Sequence, residues 1–223
     1  MTSLRKVISV WSGASLTPEP YRVGTCDLAA ARALTLRQTG LMSSARARLA
    51  RTPDVDDIAR IQVAAWRSAA LLPESALKAL DADDLSMVWA GAILNPPTSG
   101  HQLLVAVDGV PGEVVGYAAI GPCADPDADA VTGELLALEI DPALTRQGHG
   151  SRVMAAAADH ARAAGVSTWV TWCPLADEAR RAFLQAAGWG PDSAYRDIQV
   201  GWNGEEAIVV REVRMVTDLT SGS

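Results

Sequence analysis

The chain has 223 residues, 49% of them apolar and 20% charged, which is enough apolar matter for a packed core and excludes a globally disordered protein. No uncharged apolar run approaches the roughly 18 residues that a membrane-spanning helix needs. The net charge of −7 is unevenly spread: residues 1–41 hold five basic and two acidic side chains, the remainder fourteen basic and twenty-four acidic. An acidic body repels phosphates and anionic lipid, which argues against nucleic acid or membrane as partners, and it suits a cationic substrate such as an amine. Cys26, Cys123 and Cys173 are odd in number and far apart. They form no disulfide framework and no metal-ligand spacing, so a reducing, cytoplasmic setting without a metal is expected.

Residues 1–41 mix Ser, Thr, Gly and Pro with short apolar runs. Val7 to Trp11 is interrupted by Ser9 and lacks the small-residue cleavage pattern of a secretory signal. This segment reads as a loosely ordered extension, with Met42 as an alternative start and one domain over 42–223. Ala45 to Arg51 alternates small or apolar with basic residues, as a half-buried strand does. Thr52 is expected to cap a helix with Pro53 in its first position, and Val55, Ile58, Ile61 and Ala65 carry helical spacing. Pro73 is expected to open a second helix that ends before Asn95-Pro96-Pro97. Gln102 to Val107 and Glu113 to Ile120 read as an antiparallel pair joined through Asp108-Gly109 and Pro111-Gly112. A Pro- and Asp-rich loop follows, then a strand from Glu134 to Ile140, an Ala-rich helix from Ser151, and a strand from Val166 to Cys173. A helix capped by Asp177 and two late strands complete the chain.

Chemistry concentrates in Glu134 to Arg152, where a strand ends at Asp141-Pro142 and a loop with Gly148-His149-Gly150 leads into a helix. Glycines let main-chain N–H groups approach a ligand, and a helix N-terminus adds unpaired donors and partial positive charge, the physics of phosphate binding. A dinucleotide fingerprint fails because position 153 is Val, and a P-loop fails because Ser151-Arg152 replaces its Lys-Ser/Thr.

Thr145-Arg146-Gln147-Gly148-His149-Gly150 resembles the R/Q-x-x-G-x-G/A motif of the GNAT superfamily of acyl-coenzyme A N-acyltransferases, departing from it at Thr145. The likeness continues in Phe183 to Trp189, in Glu212 to Met215, and in Ala65-Trp66-Arg67-Ser68-Ala69, which resembles the first helix of a bacterial subgroup. The resemblance implies an α/β fold with a mixed, mostly antiparallel sheet of about six to seven strands, splayed between the fourth and fifth and flanked by about four helices. It implies acetyl-CoA as co-substrate, a small-molecule or peptide amine as acceptor, and direct attack in a ternary complex. A homodimer is compatible with it. The diphosphate of the co-substrate would lie on the main chain of Arg146, Gln147, Gly148, His149, Gly150 and Ser151, and its pantetheine arm would pair with Leu138, Glu139 and Ile140. Asp177 stands where the family often has a pantetheine-contacting Asn; its competing role is a helix cap.

A primary ammonium must lose a proton before it can attack. Glu134, fourteen residues before Gly148, matches the base position of some family members, and Glu139 is the second candidate. Strict alternation would place Glu134 with Leu138 and Ile140 on one face and Glu139 on the other. The family's acid tyrosine falls at Leu184, which cannot donate, so the candidates for that help are Tyr117, Tyr195 or a water; without it the chain would be a coenzyme A-binding or sensing module. Trp66, Trp89 and Trp172 are candidate walls of the acceptor site, with core filling as the competing role. His101 and His160 read as surface residues, His149 as packed in its loop or facing water, and Cys173 as a small buried hydrophobe.

Overall fold

A computed structural model describes residues 46–70, 77, 81–203 and 206–220. The extension expected over 1–41 and the helix start expected at Pro73 lie outside these residues. Seven strands form one sheet in the order β1-β2-β3-β4-β5-β7-β6: β1 (Arg46–Leu49), β2 (Gln102–Asp108), β3 (Glu113–Pro122), β4 (Thr132–Ile140), β5 (Thr168–Pro174), β6 (Gly190–Asn203) and β7 (Glu206–Asp218). All neighbours pair antiparallel except β4 and β5, which are parallel. The helices among the described residues are α1 (Val55–Ala69), α2 (Ala82–Leu94), α3 (His149–Ala163) and α4 (Glu178–Ala186). None is long and apolar enough to cross a membrane.

Alternate residues along the central strands fill two separate cores. Ile58, Ile61, Trp89, Leu103, Val105, Tyr117 and Ala119 pack beneath α1 and α2. Leu104, Ala118, Ile120, Leu135, Val153, Ala157, Trp169 and Leu184 pack beneath α3 and α4. This two-faced burial is what Gln102 to Val107, apolar almost throughout, requires.

The entry to α1 differs from the expected cap. Residues Thr52–Asp54 form a single 3-10 turn, and α1 begins at Val55. Asp54, not Thr52, ties the junction: its carboxylate accepts from both Nη atoms of Arg48 at 2.7 and 2.8 Å and from the Arg51 main-chain N–H at 2.7 Å. Burial alone would raise its pKa, but the guanidinium and the N–H outweigh that and hold it below the ordinary carboxylate value. The pairing therefore adds stability at neutral pH that is lost as pH falls through the depressed folded value. Asp54→Ala is expected to cost about 2 kcal/mol and to lower the melting temperature by several degrees, read by calorimetry at pH 7.

Candidate functional site

The parallel pairing of β4 with β5 is confined to Thr132, Gly133 and Glu134 against Thr168, Trp169 and Val170. Beyond it the strands separate. The β5 side of β4 from Leu136 to Ile140 has no partner strand, while its other side stays paired with β3. An unpaired strand edge inside a sheet is a row of donors and acceptors ready for an extended ligand.

The loop after β4 opens onto the mouth of this gap. Asp141 caps a short turn at Pro142–Leu144 by accepting from Ala143 N–H at 3.0 Å, and its other oxygen receives Arg60 of α1 at 2.7 Å. Arg146 and Gly148 then take positive φ, 64° and 83°, and α3 starts at His149. At +83° a β-carbon is strained, so glycine suits position 148. The first intrahelical bond runs from Arg152 N–H to the Gly148 carbonyl. Among the described residues, no protein acceptor engages the main-chain N–H groups of Arg146 to Ser151. They form a cluster of free donors at a helix N-terminus, and Arg146, Gln147, Gly148 and Ser151 are exposed. The His149 side chain turns inward instead: it is 2% exposed, with Nε2 3.8 Å from Asp108 Oδ2.

On β4 strict alternation fails. Ala119 pairs with Ala137 and Ile120 with Leu135, so Leu136 is the extra residue of a β-bulge. Leu136 and Ala137 both pack toward α1 and α2, whereas Leu135, Leu138 and Ile140 pack on the opposite core. Glu134, opposite Gly121, and Glu139, opposite Tyr117, consequently share the α1–α2 face. The expected separation of the two carboxylates is corrected: the bulge supplies the one-residue slip that reverses facing on one side of it.

Around Glu134 the same face gathers Trp172 on β5, Glu212 and Arg214 on β7, Arg196 and Asp192 on β6, and Asp125 and Asp127 from the β3–β4 loop. Arg214 binds Asp125, Asp127 and Asp192 at 2.7 to 3.0 Å, and Arg196 binds Glu212 at 2.7 Å. The Trp172 indole N–H donates to Asp125 at 3.2 Å, and the Arg196 guanidinium lies 4.4 Å from its ring centroid. Glu134 is buried and, among the described residues, receives no hydrogen bond. Burial pushes its carboxyl up to about 7, with Arg196 and Arg214 opposing and Asp125 and Glu212 adding to the rise. Five carboxyl groups face two guanidinium groups here, so the cluster favours a cation.

At the other end of the bulge Arg180 of α4 reaches Glu139, Nη2 to Oε1 at 2.5 Å, bridging from the far side of the gap. Its pKa lies above the ordinary value, chiefly through the Glu139 charge. Asp177 caps α4 by accepting from Arg180 N–H at 2.9 Å, and its second oxygen accepts from Arg180 Nε at 3.3 Å. Beside this pair stands Tyr117, fully buried, its ring 5.3 Å from Trp89 in an edge-on contact.

Leu138, Glu139 and Ile140 thus line the open edge, and Arg146 to Ser151 lie at its mouth. Trp172 stands next to Glu134. Trp66 is half-buried against Val63 and Leu85. Trp89 is a core residue whose indole N–H donates to Gln62 at 2.8 Å. Cys173 is buried, and burial raises its thiol to about 12, so it remains protonated. Among the described residues no group of three or more His, Cys, Asp and Glu side chains is placed to hold a metal ion. Sequence reasoning missed Arg180, Arg196 and the Arg214 cluster. A signal for the last was present: Glu212 and Arg214 occupy alternate, same-face positions of a strand and alternate with the apolar Val213 and Met215.

Residues 60–189 match the family model described as the acetyltransferase (GNAT) family. No curated protein matches the chain. Among solved structures, a putative acetyltransferase, yncA, from Salmonella typhimurium with its cofactor acetyl-CoA is similar at 23% identity and a TM-score of 0.56, covering 80% of this chain and 96% of that one. The PaiA N-acetyltransferase from Thermoplasma acidophilum in complex with coenzyme A is 13% identical with a TM-score of 0.61, over 78% of this chain and 99% of its own. A phosphinothricin acetyltransferase from Sinorhizobium meliloti in complex with acetyl-CoA is 17% identical with a TM-score of 0.57, over 78% and 88%. These likenesses show a shared fold.

Proposed function

This chain belongs to the acetyltransferase (GNAT) family, and we propose that it moves an acetyl group from acetyl-CoA to a primary amine by direct attack in a ternary complex. The observation that carries the reading is the row of free amides from Arg146 to Ser151 beside the unpaired edge of β4. The donor set fits a diphosphate, because backbone N–H groups at a helix start bind anions without a cationic side chain. The amides of Leu138 to Ile140 would hold the pantetheine arm as an added strand, and Asp177, already a helix cap, stands at the opposite wall.

Bound acetyl-CoA would supply the thioester, and transfer of its acetyl group would form an N–C bond and break the C–S bond, the coenzyme A sulfur leaving with the electron pair. Glu134 accepts the proton that the ammonium must lose. A carboxyl near pH 7 is matched to that work, being about half ionised at neutral pH and more basic than an exposed glutamate. The structure favours Glu134 over Glu139 as base, because Glu139 is occupied by Arg180. The excess of carboxyl groups around Trp172 draws in a cationic acceptor, and Trp172 and Trp66 would wall it. Trp89 serves this site through Tyr117 rather than by contact. Residues 42–223 form the catalytic unit, acting in the cytoplasm on a small-molecule or peptide amine.

Calorimetry with acetyl-CoA should show binding, and a panel of amines should release free thiol above background. No heat and no thermal shift at millimolar acetyl-CoA would defeat the proposal. Leu184, buried at 2% in the apolar core, favours a second reading, a coenzyme A-binding sensor, since it leaves position 184 of α4 without a proton donor. Binding without thiol release from any amine would select that reading.

A further inference from the structure

We propose that the Tyr117 hydroxyl donates a hydrogen bond to the acetyl oxygen as that oxygen gathers negative charge during transfer. The inference rests on the acetyltransferase reading and adds a catalytic residue to it. Tyr117 is 0% exposed, and its hydroxyl is a buried polar atom with no hydrogen-bond partner among the described residues. A phenylalanine would make the same edge-on contact with Trp89 and leave nothing unpaired, so the ring's packing does not account for the hydroxyl. A buried donor without a partner is a group awaiting an acceptor.

Position points to which acceptor. Tyr117 pairs with Glu139, so it stands one strand spacing, about 4.8 Å, from β4 and on the face that carries Glu134 and the bulge. The other edge of β4 at that level is the open one. Glu139 and Arg180, the ionic pair that reaches across the gap, are its charged neighbours. A preorganised donor beside developing charge in a water-poor site acts without reorganising, and stabilisation of this kind is usually the largest single term in catalysis.

The hydroxyl keeps its proton while doing so. Burial first, and the Glu139 charge second, hold the phenol well above its ordinary value, with Arg180 opposing. A thiol is the stronger acid, with a pKa of about 8.5 against about 10 for an ordinary tyrosine. Tyr117 therefore stabilises charge rather than protonating sulfur, which leaves as the thiolate. This answers the absence of an acid at Leu184 without placing another acid in its stead.

Tyr117→Phe in the full chain tests the assignment. Turnover should fall about 10²- to 10³-fold, as on loss of one oxyanion donor. The melting temperature should stay level or rise, and the pH midpoint set by Glu134 should not move. Infrared difference spectra of acetyl-CoA labelled with carbon-13 at the carbonyl should show a lower stretching frequency on the wild type than on the variant. An unshifted carbonyl overturns the proposal even if turnover drops, because the hydroxyl then acts elsewhere. Unchanged turnover, or a drop matched by loss of folded protein, overturns it equally. A wild type that neither binds acetyl-CoA nor releases thiol would instead defeat the acetyltransferase reading beneath it.

Discussion

Glu134→Gln is expected to lower kcat/KM by about 10²- to 10⁴-fold at pH 7.5 and to abolish the acidic limb of the pH–rate profile. In the wild type the rate should rise with pH through a midpoint near 7, the value to which burial lifts this carboxyl. Glutamine keeps the shape and cannot accept the proton, so the variant's profile should be flat from pH 6 to 8. Folding stability should move the other way. A carboxyl whose folded pKa lies above the unfolded one favours the folded state only while protonated, so that contribution is complete at low pH and is lost as pH rises through about 7. The rise from 4.5 to about 7 corresponds to about 3 kcal/mol of destabilisation by the ionised form at high pH. The stability of Glu134→Gln relative to wild type should therefore improve by several degrees in melting temperature between pH 5 and pH 8.5. Less activity with more stability at alkaline pH marks a group held for function. A limb that persists in the variant would assign the proton elsewhere.

The second large effect is expected at Gly148. At φ +83° a valine would be strained by more than the roughly 1–2 kcal/mol that left-handed backbone costs an ordinary residue. Its β-carbon would also lie 3.4 Å from the Arg152 guanidinium, which itself holds the Gln147 carbonyl at 3.2 Å. The turn can relax only by swinging the peptides on either side, which carry the free N–H groups. Hydrogen bonds to a charged partner are worth about 1.5–3 kcal/mol each, so losing two should weaken acetyl-CoA binding at least about 100-fold. Calorimetric titration reads that loss directly. Circular dichroism should remain that of the wild type, because the strain sits in a loop outside both cores. Gly148→Val with unaltered affinity would remove the diphosphate from this loop.

Between these two positions lies the difference between what the chain announces and what it conceals. Gly148-His149-Gly150 could be read because it is local: a strand stop, two glycines and a helix start within a dozen residues dictate free amides whatever surrounds them. The succession of strands and helices along the chain was readable for a related reason, since apolar runs and their breaks report secondary structure directly. The facing of Glu134 was not readable. Glu134 to Ile140 contains no glycine, proline or other mark of the bulge, and period-2 counting has no means of registering one extra residue. Thr52 misled similarly: a favourable cap residue lost to Asp54 because Arg48 arrives from a separate strand.

Taken alone, the amino-acid order determined the α/β class, the glycine turn that leads into a helix start and the acidic bias, each of which follows from near neighbours and composition. The tertiary structure decided that Arg180 binds Glu139, that Trp89 belongs to the core, and that among the described residues Glu134 receives no hydrogen bond and the Tyr117 hydroxyl has no partner. Those facts depend on groups brought together from β3, β4, α2 and α4, and electrostatics and desolvation act through space, along distances that sequence separation does not encode.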